Sequence, residues 1–169
     1  NPSMGNRHPT ETEIAGNGGV HHYEVGEHAL EGRTGKVRPA SNREPDSESR
    51  AVSRSDAGWA LTARQPGFLV GLTSIYWREA WKYGERAFRY CQHDTGHAIG
   101  ALRLSAAMLG WRLALLPRWA DDDIATVLGI DRDADFEGAE RADPECIAIV
   151  PAGDPGPVRH SDPAAWVEG

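Results

Sequence analysis

The sequence predicts an α+β fold, a mixed sheet flanked by helices. Three observations carry this. From residue 66 onward the apolar periodicity changes in the order strand, helix, helix, strand, helix, strand. Ahead of that, two short alternating segments read as a hairpin. A chain of 169 residues with 40% hydrophobic content can also close one packed core, so a single domain over 1–169 is expected.

The hairpin is "VHHYEV" followed by "HALEGR", with Gly26 and Glu27 between them. "NPSMGNRHPTETEI" precedes it, a run of turn-formers leading into a strand-like segment. Residues 35–58, "GKVRPASNREPDSESRAVSRSDAG", carry mixed charge and almost no large apolar side chain. Such a stretch cannot bury enough surface to offset its ordering entropy, which predicts a flexible loop, either a lid or a disordered insertion.

"PGFLVGLTSIYW" is rich in Val, Ile, Thr and aromatics after a Pro-Gly break and predicts a buried strand. "REAWKYGERAFRYC" has helical period, and Trp77, Trp81, Gly84 and Phe88 would form one packed apolar face. Asp94 is placed to cap a second helix, "TGHAIGALRLSAAMLG", ending at Gly110. Its core side would be Ala98, Leu102 and Leu109, with Ala101, Leu104 and Met108 beside them. "WRLALLPRW" reads as a strand closed by proline, and the acidic start of "ADDDIATVLGI" suits a helix N-terminus. "ECIAIVPAG" is a last, continuously apolar strand, with 152–169 as a C-terminal tail.

A net charge of −7 argues against a general nucleic-acid binder, which needs a basic surface for phosphates. No apolar run is long enough to span a bilayer. The two cysteines, Cys91 and Cys146, form neither a disulfide framework nor a zinc-ribbon spacing, which makes a reducing cytoplasm the expected location.

Three groups of residues could carry chemistry. In "HDTGH", His93 and His97 have the spacing of a two-histidine zinc site, with Asp94 where a metalloprotease has its Glu. With Asp94 as a cap, however, His93 falls off the helix face, and no third ligand stands out. The bland alternative is a polar helix entry. Lys82 would share a helical face with Arg78, Arg86 and Arg89, and Tyr83 lies about 100° round the helix. Crowding by guanidinium groups would favour a neutral lysine, a better base; the alternative is a solvated basic face. In the opening loop, Ser3, Gly5 and Asn6 offer a hydroxyl, an unhindered N–H and an amide, enough to hold an anion or a flat polar ring edge, or to make only a turn.

Together, "NPSMGNRHPTETEI", "GGVHHYEVGEHALE" and "SIYWREAWKYGERAFRYCQHDTGHAIGALRLSAAMLGW" resemble the nitroreductase-like flavoproteins, and among them the azoline (thiazole- or oxazole-forming) dehydrogenases. The resemblance covers most of 1–30 and 66–150. It implies an FMN-dependent oxidoreductase that transfers hydride between a small or peptidic substrate and the flavin. Pro2, Ser3, Gly5 and Asn6 would contact FMN. Lys82 would be the base and Tyr83 its hydrogen-bonding partner. NAD(P)H is an alternative electron donor, by a nitroreductase-type route. A homodimer or pseudo-dimer built on the long helix is implied, with no nucleic-acid or membrane partner. Met4 and Arg7 differ from the small residue and the leucine usual in the family's loop. Family members also carry an N-terminal helical segment with phosphate-binding arginines, and this chain begins just after it, so it is expected to be a fragment. Two other readings stand beside this one: a non-catalytic half or remnant acting as a binding module, and a zinc hydrolase using His93 and His97.

Overall fold

The computed structural model describes residues 8–16, 19–34 and 67–151. The opening loop with Pro2, Ser3, Gly5 and Asn6, the 35–58 segment and the 152–169 tail lie outside the described residues.

Strands β1 (Thr10–Gly16), β2 (Gly19–Glu24) and β3 (Ala29–Thr34) come first, followed by β4 (Gly67–Ser74). Helices α1 (Trp77–Tyr83) and α2 (Arg86–Met108) follow, then β5 (Ala114–Leu115), α3 (Asp121–Leu128), a 3-10 turn at Asp133–Phe136 and β6 (Asp143–Pro151). The strands form one sheet in the order β3-β2-β1-β4-β6-β5, antiparallel at every described pairing. The α+β class is as the sequence predicts.

The β2–β3 hairpin turns at residues 25–28, where the Gly26 N–H donates to Glu24 Oε1 over 2.8 Å. β4 lies between β1 and β6, which accounts for its continuous apolar run. Leu69 and its cross-strand partners Ala15 and Ile149 share one face of the sheet, because directly opposed residues point the same way. These residues pack with Ile124, Val127 and Leu128 of α3 and with Trp119 and Ile130. Their neighbours Val70, Leu72, Ala148 and Val150 are also buried, so the central strands are covered on both faces.

The helices end as their glycines dictate. Gly129, at φ 69°, follows α3, and the Ile130 N–H returns to the Ala125 carbonyl over 2.9 Å. Gly110, at φ 72°, follows α2, with the Trp111 N–H on the Ala106 carbonyl at 2.8 Å. Both are Schellman closures, in which only glycine adopts the left-handed position without cost. At the start of α3, Asp123 accepts the Ala120 N–H over 3.2 Å.

Three helical expectations are corrected. The segment from Trp77 to Cys91 is not one helix, because Gly84 (φ 55°, ψ −135°) breaks it into α1 and α2. The break turns the expected packing face outward: Trp77, Trp81 and Phe88 are 63%, 54% and 63% exposed, whereas Glu79, Ala87 and Cys91 are buried. Asp94 caps nothing, since α2 runs through it for 23 residues and Asp94 is buried mid-helix. In the C-terminal half of α2, Ala98 and Leu102 are half-buried and Ala106 is buried, but Ala101, Leu104, Met108 and Leu109 are exposed. Among the described residues no helix is long and apolar enough to cross a membrane.

Candidate functional site

The chain enters the described structure at His8, and two contacts fix it there. The Ile75 N–H donates to the Pro9 carbonyl over 2.7 Å, and Arg78 Nη1 donates to the His8 carbonyl over 2.9 Å. His8 itself sits at φ 47°, a left-handed conformation that costs a non-glycine residue about 1 kcal/mol or more. His8 and Pro9 are thereby held at the start of α1.

Arg78 is the hub of this attachment. Its guanidinium also pairs with Glu11 of β1 and, through Nε at 2.7 Å, with Glu140 ahead of β6. Burial pushes its pKa down, but the two carboxylates outweigh that and the net shift is upward. The expected crowd of guanidinium groups round Lys82 is therefore not what α1 provides. Arg78 is engaged elsewhere, and Arg86 and Arg89 lie beyond the break at Gly84.

Lys82 and Tyr83 close α1. Lys82 is exposed, with Nζ 5.0 Å from the centroid of the Tyr83 ring. Tyr83 is half-buried and meets Tyr90 of α2 edge to face, with centroids 4.7 Å apart. This corner offers one ammonium group and two phenols, a donor set that suits a flat or anionic ligand.

A second polar cluster links α1, α2 and β6. Tyr76 donates its hydroxyl to Glu145 Oε1 at 2.6 Å, Gln92 Nε2 donates to Glu145 Oε2 at 2.5 Å, and the Tyr76 ring stacks on Phe88 with centroids 6.0 Å apart. Burial, with the Glu145 carboxylate beside it, pushes the Tyr76 phenol well up. Burial, then the charges of Glu145, Glu79 and Asp94, push the Cys91 thiol up to about 12. Burial takes Cys146 to about 11. Neither cysteine is a thiolate nucleophile near neutral pH.

Tyr76 also borders a cavity of about 640 Å³ lined by Asp121, Asp122, Asp131, Asp133 and Asp143, with Arg141. Arg141 is paired with Asp133. This acidic lining does not fit the phosphate of a flavin mononucleotide, which would be repelled.

His93 and His97 lie on α2, both exposed, and His97 Nδ1 is 3.9 Å from Asp94 Oδ1. Among the described residues no group of three or more His, Cys, Asp or Glu could hold a metal ion. The structure thus brings Lys82 and Tyr83 together at the end of α1, and among the described residues no third ligand joins His93 and His97 on α2.

Sequence reasoning missed the pivotal part of Arg78, which looked like one member of a basic face. It also missed the inward charges Glu11 and Glu13. Their alternation with Thr12 and Ile14 was the available signal, because it puts both carboxylates on the Ala15 side of the strand.

The Nitroreductase family model matches residues 1–139. Among solved structures, a protein from Anabaena variabilis classed as a nitroreductase superposes with a TM-score of 0.62 at 20% identity, over 88% of this chain and 28% of that one. A chain of the Escherichia coli microcin synthetase McbBCD complex, solved with truncated pro-MccB17 bound, gives a TM-score of 0.58 at 19% identity. That match covers 88% of this chain and 53% of the other. This chain therefore spans about a quarter and about half of the lengths of the two chains it resembles. No curated protein is significantly similar in sequence. The matched residues are most of the chain, so the chain belongs to the Nitroreductase family, whose members are generally oxidoreductases and typically bind a flavin.

Proposed function

We propose that this chain is the flavin- and substrate-facing part of an FMN-dependent oxidoreductase of the azoline-dehydrogenase kind, acting on a small or peptidic substrate. The observation that carries the reading is the clamp of Arg78 on the His8 carbonyl at 2.9 Å. Arg78 is one helical turn, a rise of about 6 Å, from Lys82. His8, which follows the loop expected to contact flavin, therefore lies beside the helix that carries the expected base.

Pro2, Ser3, Gly5 and Asn6 would hold the flavin, with Gly5 allowing close backbone approach. A bound FMN supplies acceptance of a hydride from a substrate carbon. This chain's own part is positional and acid–base. Lys82 Nζ takes the proton from the atom next to that carbon. Tyr83, steadied by its edge contact with Tyr90, offers a hydroxyl at the same helix end. The microcin synthetase complex was solved with truncated pro-MccB17 bound, and a peptidic substrate is part of this proposal.

The proposal includes a dimer. Leu104, Met108, Leu109 and Trp111 are 70%, 87%, 63% and 47% exposed on and just after the end of α2. An apolar group of this size is the kind of surface that another subunit covers.

Flavin fluorescence tests the cofactor assignment. FMN is titrated with the chain and with its Gly5→Val variant. The native chain should bind FMN, and Gly5→Val should weaken that binding. Failure of the native chain to bind FMN overturns the proposal.

A further inference from the structure

Glu13 of β1 lies directly opposite His22 of β2, and the two are 1% and 6% exposed. His22 Nδ1 is 3.0 Å from Glu13 Oε1. Its other nitrogen, Nε2, is 3.5 Å from Glu11 Oε2, two residues back on the same face of β1. An ionised carboxylate only accepts hydrogen bonds, so each ring nitrogen facing one should carry a hydrogen. Neutral imidazole has only one such hydrogen. A carboxylate on each nitrogen is the arrangement of an imidazolium ion.

The other charged groups round the ring are few. On β3, Arg33 Nε lies 3.9 Å from Glu13 Oε2 and opposes protonation of His22, while Glu31 pairs with His22 in register and is exposed. Arg78 of α1 reaches the site through Glu11. β4, which flanks β1, has no charged residue. Two carboxylates thus act against one guanidinium. The hydrogen bond to Glu13 outweighs burial, and the His22 pKa is raised from its ordinary 6.5.

We propose that His22 is a proton-operated clasp between the β1–β2 hairpin and α1. Protonated, it holds Glu13 and Glu11 together, and Glu11 in turn holds Arg78. Deprotonated, it keeps the Nδ1 hydrogen on Glu13, the closer and more deeply buried acceptor. Its bare Nε2 then repels Glu11, which is 14% exposed in its side chain and free to follow Arg78. α1 also carries Lys82, so the clasp would make the geometry of that helix end depend on pH. This last consequence rests on the proposed function, whereas the clasp does not.

The sign of the pH effect follows from the raised value. The stabilising contribution of His22 is complete below about 6.5, the unfolded pKa, and is lost as pH rises through the higher folded pKa. Long-range proton–nitrogen NMR of the imidazole rings in the full chain reads the clasp directly. His22 should show both nitrogens protonated at about pH 6, titrate above an ordinary histidine, and emerge as the Nδ1–H tautomer. Over the same window, amide exchange in α1, normalised to intrinsic rates, should accelerate by up to about tenfold per unit of pKa elevation. His22→Gln should remove that window. If this variant does not fold, the NMR and exchange measurements on the native chain decide alone. A His22 midpoint at or below 6.5, an Nε2–H tautomer, or α1 exchange that ignores the titration each overturns the proposal.

Discussion

Leu128 of α3 stands directly over Gly71 of β4: a methyl group added at Gly71 would lie 2.7 Å from Leu128 Cδ2. Leu128 is fully buried, and Gly71 occupies the central strand between Glu13 and Ile147. The missing side chain is what lets α3 settle onto the sheet. This contact joins the last third of the chain to the strands that hold His8 and Arg78 in place.

Gly71→Ala should therefore destabilise by about 1–3 kcal/mol through overpacking. Leu128→Ala should cost about 2–5 kcal/mol through the cavity it leaves. Combined, they should cost clearly less than their sum, because the new methyl group enters the space that leucine vacates. Urea denaturation of the four proteins measures this. Simple additivity would mean that the two residues do not share that space.

Assembly can be tested at the exposed end of α2. Leu104 and Met108 are four residues apart on one helical face and are 70% and 87% exposed. Leu104→Glu with Met108→Glu should leave the fold intact, since neither side chain is in the core, and should halve the mass seen by light scattering. Glutamate at Ala106 would not test the interface, because Ala106 is only 6% exposed and packs within the chain. A double variant that keeps the native mass would remove this face from the interface, and a native chain of monomer mass would remove the dimer.

The strands were legible because their signal is local. β4 and β6 are covered on both faces, so their apolar runs are continuous. The β2–β3 hairpin announces itself through alternation and Gly26. The helical faces were misread for an equally physical reason. Periodicity from Trp77 to Phe88 assumes one unbroken helix axis, and Gly84 changes that axis. Periodicity also marks an apolar face without saying what covers it, so Met108 and Leu104 looked like intrachain core. For the candidate site, the sequence places Lys82 and Tyr83 side by side along a helix, and the helix end at Tyr83 comes from the break at Gly84. The link from α1 to His8 runs through Arg78, 70 positions away, and no local pattern encodes a contact of that span. Glu13 and His22 became visible as a pair only once the β1–β2 register was known.

Lys82 carries the remaining prediction. In the flavin-loaded protein, Lys82→Ala should lower oxidation of an azoline peptide by about 10²–10⁴-fold while leaving FMN affinity unchanged, since the base acts on the substrate. Tyr83→Phe should cost less, because the ring that meets Tyr90 remains and only the hydroxyl is lost. The competing account is that Lys82 is a surface lysine resting on its own neighbour, with Nζ 5.0 Å from the Tyr83 ring. On that account Lys82→Ala is silent in turnover. Lys82→Arg separates the two, since arginine keeps a cation over the ring but cannot serve as a base. Turnover lost in both variants, with FMN still bound, is the signature of proton removal by Lys82. Turnover retained by Lys82→Arg would assign the side chain a merely electrostatic part, and turnover retained by Lys82→Ala would take it out of the reaction.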